Sequence, residues 1–282
     1  MNLKYEIHPK EKAYFVAKIV AACIGYYLIY WAIDFCLNSR NPAAFLPLLF
    51  YALLFGFYLF FVFGILIGYI KGNGVKITSK QFPEINEIVQ KQCFLLGIKK
   101  TPDVYILQSG GVLNAFATSW FGSNYVVIYS DILEEAYEKN METVEFVIGH
   151  ELGHIKRKHM LKRILLFPAF VIPFLGRAYS RACEYTCDNI GAALSPQGVK
   201  NGLLVLSAGK KLWKRVNADR FVEQETSEDS FWFWFAEKVS THPRLTKRLS
   251  RFNVPKKIVE EVVREKPVVK EVKTDHNSYL PK

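Results

Sequence analysis

His150-Glu151-Leu152-Gly153-His154 is the most informative stretch of this 282-residue sequence. On a helix, side chains four positions apart lie on one face about 6 Å apart, so His150 and His154 can reach a single cation. Glu151, rotated by about 100°, can reach water bound to that cation. The pattern is typical of zinc hydrolases.

A surface helix with two solvated histidines is the alternative interpretation of this motif. Polar residues just downstream support it: Lys156, Arg157, Lys158 and His159. Four hydrophobic residues lead into the motif: Val144, Phe146, Val147 and Ile148. Because apolar side chains of this size are usually buried, we expect the motif to lie on a buried helix.

Two histidines leave a catalytic zinc short of one protein ligand, because such sites use three side chains and one water molecule. The motif has no H-x-x-G-x-x-H continuation, which excludes a third histidine nearby. The best candidate is Glu184, and Asp188 lies one turn later on the same helical face. We expect Glu184 to bind one Zn²⁺ per chain and Asp188 to accept the free ring N–H of a ligand histidine. Thiolates of Cys183 and Cys187 are alternative ligands, although buried cysteines are more often apolar fillers.

Two long hydrophobic segments occupy most of the first seventy residues. We predict membrane spans at about residues 14–36 and 45–70, which as helices are long enough to cross a hydrocarbon layer of about 30 Å. Together they form an antiparallel membrane hairpin over residues 1–70. A catalytic domain over residues 71–253 and a charged C-terminal tail over residues 254–282 are predicted to follow.

Several lysines lie at the start of the first span and after the second span, whereas the link between the two spans carries one arginine. Counting these charges by the positive-inside rule predicts that both termini and the catalytic domain are cytosolic. We therefore expect an integral, multi-pass protein of the cytoplasmic (inner) membrane. Gly64 and Gly68 would allow close helix contact, but packing within the hairpin is the preferred interpretation. An oligomer is compatible with the sequence and has no support in it.

The composition excludes several classes of protein. Hydrophobic residues make up 50% of the chain and are most concentrated in the predicted hairpin. This uneven distribution argues against a soluble single-domain protein. Five cysteines without regular spacing argue against a disulfide framework. The net charge of +11 is compatible with a nucleic-acid partner, but no recognition module accompanies the basic residues, so we expect none.

The soluble part is predicted to be mainly helical. Pro83 to Leu96 predicts a helix that ends before Gly97, and Asn140 is a candidate N-cap for the helix that carries the motif. Val104 to Leu107 and Tyr125 to Tyr129 are rich in β-branched and aromatic residues, which predicts strands. We expect them to form a small antiparallel sheet between helices. The predicted fold class is therefore α+β, with an N-terminal two-span hairpin.

Two further apolar stretches have more than one interpretation. Ile164 to Leu175 is too short to cross a membrane and is interrupted by Pro168 and Pro173, so it either dips into the interface or packs in the core. Phe231 to Phe235 has no polar alternation, so both of its faces must be covered. A core or interfacial anchor is the preferred interpretation, and a substrate-recognition surface is the alternative.

Five separated patterns resemble those of the HtpX-type membrane zinc endopeptidases, to which the CAAX prenyl proteases are more distantly related. They occur in the same order over roughly residues 70–250: Gln81-Phe82-Pro83, Asn114-Ala115-Phe116-Ala117, the H-E-L-G-H run, Ser180-Arg181-x-x-Glu184-Tyr185-x-x-Asp188, and His242-Pro243-x-x-x-x-Arg248. The resemblance implies a zincin-like (gluzincin) fold with Glu151 as the catalytic acid and base. It implies zinc bound at three positions: His150, His154 and Glu184.

The resemblance also implies further site residues. Asn114, Ala115, Phe116 and Ala117 would form the edge that receives an extended peptide substrate. His242 would approach the metal site as a catalytic residue that steadies the developing oxyanion, the alternative being a capping role before a Pro-initiated helix.

The function that the resemblance implies is hydrolysis of peptide bonds in membrane or misfolded proteins, as in HtpX-like quality control. Its partners would be protein or peptide substrates and the lipid bilayer. The alternative function is a membrane-tethered binding or chaperone-like module that keeps a structural zinc.

Overall fold

A computed structural model describes residues 3–38, 43, 45–108, 115–137 and 140–253 of the chain. Two long helices come first, α1 (Pro9–Asn38) and α2 (Phe45–Asn73). Both are long and apolar enough to cross a membrane, and only 22% and 6% of their most apolar windows are buried within the protein. Contiguous apolar surface of this extent is not left in water by soluble proteins, so lipid contact accounts for it. Most of the link between the helices and the predicted tail 254–282 lie outside the described residues.

Four strands form one sheet in the order β1-β2-β4-β3. They are β1 (Val75–Lys76), β2 (Asp103–Leu107), β3 (Ala115–Trp120) and β4 (Ser123–Tyr129). β1 pairs with β2, and β3 with β4, in the antiparallel manner, although only β2 and β4 were among the predicted strands. The prediction was wrong for the central pair, because β2 and β4 are parallel. After β2 the chain passes first to the outer strand β3, and the β3–β4 hairpin then brings β4 back beside β2 in the same direction.

Among residues 83–253, so far as they are described, there are nine further helices and two short 3₁₀ turns. In chain order they are α3 (Pro83–Leu96), α4 (Ser130–Tyr137), α5 (Met141–Lys156), α6 (His159–Leu165), the turn Phe167–Val171, α7 (Leu175–Leu194), α8 (Gly198–Leu212), the turn Trp213–Arg215, α9 (Ala218–Ser227), α10 (Phe231–Val239) and α11 (Leu245–Asn253). α3 begins at Pro83 and ends before Gly97, whose φ of 64° suits a residue without a side chain. The mainly helical α+β prediction is confirmed.

α5 and α7 pack unusually close together at the centre of the domain. A Cβ on Gly191 of α7 would lie 2.9 Å from the main-chain oxygen of Phe146, and one on Gly153 of α5 would lie 3.2 Å from Cys187 Sγ. Phe146, Leu152 and Ile190 are fully buried around this contact. Because a Cβ would clash at Gly191 and be crowded at Gly153, the two helices approach closely enough for their polar side chains to meet.

Candidate active site

Three side chains from α5 and α7 converge on one point. His150 and His154 of α5 have their Nε2 atoms 3.3 Å apart. Glu184 of α7 places Oε2 3.3 Å from His150 Nε2 and Oε1 3.4 Å from His154 Nε2. His150 and Glu184 are buried, and His154 is partly buried. The helix period places the two histidines, and the packing of α7 on α5 places the carboxylate.

The three distances suit a tetrahedral metal ion. Bonds of about 2.0–2.1 Å from zinc to nitrogen and oxygen place neighbouring ligand atoms about 3.3–3.4 Å apart in a tetrahedron. The separation of the two histidine Nε2 atoms, and that of each from its nearer Glu184 oxygen, match this spacing. Two imidazoles and one carboxylate also form the donor set of many catalytic zinc sites. The residues present therefore fit a zinc ion, which would be held by His150, His154 and Glu184.

Asp188 orients His150 from behind this cluster. Its Oδ1 lies 3.0 Å from His150 Nδ1, which leaves His150 Nε2 facing the converging point. Arg248 of α11 donates to both oxygens of the same carboxylate, over 2.9 Å from Nε and 2.6 Å from Nη2. Although burial alone would raise the pKa of Asp188, Arg248 and His150 hold it below its ordinary value. Asp188 is thus an ionised carboxylate that holds one ring tautomer of His150.

Glu151 has a different environment from the other carboxylates. It is buried on α5, and burial raises its pKa to about 7, partly offset by His150 and by a backbone hydrogen bond with Ala117. Burial would also raise the pKa of Glu184, but His150 and His154 hold it well below the usual range. Glu184 therefore stays ionised, whereas Glu151 can exchange a proton near neutral pH.

A cleft of about 910 Å³ runs beside this cluster. Ala115, Phe116 and Ala117 lie on β3 and line it, together with the converging side chains. Within the described part of the chain, β3 is the outer strand of the sheet beside β4, and it lies at the cleft. Asn114 lies outside the described residues.

His242 reaches the same cluster from the segment after α10. Its side chain is largely exposed, and its Nε2 lies 3.5 Å from Glu184 Oε1. Its Nδ1 lies 3.0 Å from the hydroxyl of Thr241. The ring thus turns its Nε2 toward the open side of the converging point.

The sequence matches the model of peptidase family M48 over residues 79–170 and 166–255, which is more than half of the chain. The chain belongs to peptidase family M48. It is therefore a metallopeptidase, as predicted, and its resemblance to HtpX-type proteins is confirmed by the following relatives.

Two curated relatives and one solved structure are similar to this M48 peptidase. A protease HtpX homolog of Helicobacter pylori (strain Shi470) is 23% identical over 213 residues, which are 62% of this chain and 67% of the relative. A CAAX prenyl protease 1 homolog of Dictyostelium discoideum is 34% identical over 65 residues, which are 23% of this chain and 15% of the relative. The crystal structure of S. mikatae Ste24p is 14% identical, with a TM-score of 0.45, over 88% of this chain and 67% of that one.

Sequence reasoning missed a second group of residues that supports the site of this M48 peptidase. His159 Nδ1 lies 3.0 Å from His154 Nδ1, and its Nε2 lies 3.4 Å from Glu11 Oε1. Arg157 donates to the same Glu11 oxygen over 3.2 Å and 2.9 Å. Glu11 belongs to α1, so two side chains join a membrane helix to the candidate site. No sequence spacing could reveal this contact, because residues 11 and 159 come together only through the packing of α1 on the domain.

In the part of the chain that the structure describes, two other side-chain groups have ligand atoms within 4.8 Å of one another and could bind a metal, and both include a cysteine. They are His154 with His159 and Cys187, and Glu11 with His159 and Cys183. Burial raises the pKa of Cys183 to about 12 and that of Cys187 well above its ordinary value. Because the thiolate is the form that binds metals, these groups are poorer candidates than the cluster around Glu184.

Proposed function

We propose that this membrane M48 peptidase is a zinc endopeptidase whose single Zn²⁺ is held by His150, His154 and Glu184. The observation that carries the proposal is the set of separations of 3.3–3.4 Å between the two histidine Nε2 atoms and between each of them and one carboxylate oxygen of Glu184. When bound, zinc supplies a Lewis acid that polarises a peptide carbonyl and makes water more acidic. Asp188 supports this arrangement, because its bond to His150 Nδ1 keeps His150 Nε2 directed at the same point.

Glu151 is the proposed catalytic acid and base. Its carboxylate takes a proton from the attacking water and delivers it to the leaving amine. A pKa raised by burial to about 7 suits both transfers, because a group titrating near the working pH accepts and donates with similar ease. His242 is proposed to donate to the developing oxyanion. Its Nε2 lies near the cluster, and the ring is accessible from the cleft.

The proposed substrate is an extended peptide that binds along the cleft-lining strand β3 at Ala115, Phe116 and Ala117. Main-chain pairing tolerates varied side chains, which suits an enzyme that cleaves many sequences. The contact between Ala117 and Glu151 supports this placement, because a peptide on this edge would run past the proton-transferring carboxylate. Asn114 is proposed to extend the same edge.

We further propose that both termini and the catalytic domain lie in the cytosol, in a multi-pass protein of the inner membrane. The lysines that flank the two spans support this orientation. Substrates would then be membrane or misfolded proteins, and the role one of quality control. A binding or chaperone-like module with a structural zinc is not favoured, because the family is one of peptidases.

The test compares zinc content and cleavage of an unfolded model protein in detergent. Wild type should hold one zinc and cleave, Glu151→Gln should hold zinc without cleaving, and His150→Ala should lose both. Glu142→Gln is the matched control, because it makes the same change at an exposed position of α5 and should leave both properties intact. Cleavage by the Glu151 variant, or full zinc content in the His150 variant, would refute these roles.

A further inference from the structure

Two exposed apolar features project from the catalytic domain. The first, here called the apolar loop, comprises residues 164–174, and Phe170 at its centre is 75% exposed. The second, here called the hairpin tip, comprises Trp120 at the end of β3 and Phe121 directly after it, and Phe121 is 78% exposed. Exposed apolar surface of this kind marks a site of interaction with protein or lipid.

The apolar loop packs directly on the first membrane helix. The hydroxyl of Tyr26 donates to the main-chain oxygen of Leu165 over 2.9 Å, and the rings of Tyr26 and Phe167 meet edge to face at 6.0 Å. A Cβ on Gly25 would lie only 2.7 Å from Pro168 Cβ, so the loop and the helix are in close contact. The loop is therefore held against α1 at Gly25 and Tyr26.

The position of this contact along α1 indicates how deep in the lipid bilayer the contact lies. Lys18 is the last charged residue of α1 before Asp34, so the helix is uncharged between them. Tyr26 lies eight residues beyond Lys18, which is about 12 Å along a helix. A hydrocarbon layer about 30 Å thick that begins near Lys18 would therefore contain Tyr26 and the part of the loop that packs on it.

The hairpin tip contacts the second membrane helix at a similar distance from the nearest charged residue. The ring of Trp120 stacks on Phe63 at 5.7 Å and contacts Phe60 at 5.5 Å, and Phe121 lies 6.1 Å from Phe60. The nearest charged residue on α2 is Lys71, eight residues after Phe63, which is again about 12 Å. Two independent contacts thus place parts of the catalytic domain beside uncharged stretches of both spans.

Helix α10 continues the apolar surface beyond the loop. The ring centres of Phe174 and Phe235 lie 6.3 Å apart. On α10, Trp232 is 73% exposed and Trp234 is 53% exposed. Tryptophan is enriched at the boundary between lipid and water. The surrounding charge also suits lipid headgroups, because residues 157–182 contain no Asp or Glu and, besides the internally bonded Arg157 and Arg181, four basic residues: Lys158, Lys162, Arg163 and Arg177.

We propose that the apolar loop and the hairpin tip insert into the lipid leaflet next to the catalytic domain, with α10 at the level of the headgroups. Lipid acyl chains are the chosen occupant because both features are continuous with the lipid-facing spans. The cleft is lined by Gly122 beside the hairpin tip and by Leu161 and Arg163 beside the loop. Its ends therefore lie close to the inserted features, and the site faces the membrane surface rather than the bulk solvent. This inference does not depend on the proposed peptidase mechanism.

The test uses the full chain in phosphatidylcholine–phosphatidylglycerol nanodiscs, with single spin labels in a Cys23→Ala, Cys36→Ala background. The three remaining cysteines are buried and escape labelling. Labels at Phe170→Cys and Phe121→Cys report collisions with oxygen, which concentrates in lipid, and with a water-soluble nickel chelate. Phe94→Cys is the matched control, because Phe94 is a 76% exposed aromatic on α3 without a described ring contact to the spans. Phe55→Cys on α2, at 60% exposure, is the lipid reference.

Insertion predicts that the labels at Phe170 and Phe121 behave like the one at Phe55, with oxygen favoured over nickel at least several-fold relative to Phe94. A label at Trp232→Cys should give an intermediate ratio. Nickel accessibility equal to that at Phe94 would overturn the proposal. Protection from both reagents would also overturn it, because it would show that protein, such as a second copy, covers the surface. Val171→Cys, 60% exposed in the same loop, replaces Phe170→Cys if that variant does not fold.

Discussion

His159 Nδ1 lies 3.0 Å from His154 Nδ1, and this contact sets which nitrogen of His154 faces the candidate metal site. Glu11 accepts a hydrogen bond from the N–H of His159 Nε2, over 3.4 Å, so a neutral His159 has an unprotonated Nδ1. The proton between the two rings then belongs to His154 Nδ1. This leaves the lone pair of His154 Nε2 directed at Glu184 and the cation.

His159→Ala should therefore weaken zinc binding without removing a ligand. Loss of a partner that orients a ligand histidine typically costs about 10–100-fold in metal affinity. Competition with a chromophoric zinc chelator measures the change. His8→Ala is the control, since His8 packs on Tyr185 outside the site. Equal affinities for wild type and His159→Ala would show that the ring contact is incidental.

Glu11→Gln should destabilise the protein by about 2 kcal/mol, because hydrogen bonds to a buried charged group are worth about 1.5–3 kcal/mol. Glu11 is 1% exposed and joins α1 to Arg157 and His159. Thermal unfolding in detergent measures the loss. In a double-mutant cycle with Arg157→Gln the two losses should not be additive, whereas simple additivity would mean that the pair is not coupled.

Gly191→Ala should reduce both stability and zinc content. The added methyl group would lie 2.9 Å from a main-chain oxygen of α5, so α7 must move away and carry Glu184 with it. Gly176→Ala is the matched control on the same helix, because nothing lies within 4 Å of its added methyl group. Elemental analysis and thermal unfolding compare the two variants, and equal behaviour would contradict the close packing of the helices.

Glu225 should make the free energy of unfolding decrease as the pH becomes acidic. Although burial would raise its pKa, bonds from Arg244 and Thr246 hold that pKa below the ordinary 4.5. Because the folded-state value is the lower one, the stabilisation is complete above pH 4.5 and is lost as the pH falls through the folded-state pKa. The difference in unfolding free energy between wild type and Glu225→Gln should be constant near neutral pH and shrink at acid pH. A difference that is independent of pH would contradict this.

Cys183 and Cys187 should be dispensable for the metal. Their thiols are buried, and burial raises the pKa of both, so little thiolate forms at neutral pH. The double variant Cys183→Ala, Cys187→Ala should keep one zinc per chain, measured by elemental analysis. Both thiols should also resist alkylation at pH 8 until the protein is unfolded. Loss of zinc in this variant would favour one of the cysteine-containing groups over the cluster at Glu184.

The sequence was sufficient for those features that depend on neighbours along the chain. Helical spacing alone places His150, Glu151 and His154 around one point, and hydropathy alone predicts two helices long enough to cross a membrane. Turn and strand signals also locate α3, β2 and β4. They fail for the direction of the central strand pair, because strand patterns do not encode which strand lies next to which.

Only the tertiary structure decided the contacts between distant segments. The support of His154 by His159 and Glu11, the bond from Arg248 to Asp188, and the packing of the apolar loop on α1 join residues far apart in sequence. Local periodicity reports which face of a helix is apolar or polar, but it does not report what that face meets. That choice follows from close packing of the whole domain, in which the position of each helix depends on all of its neighbours.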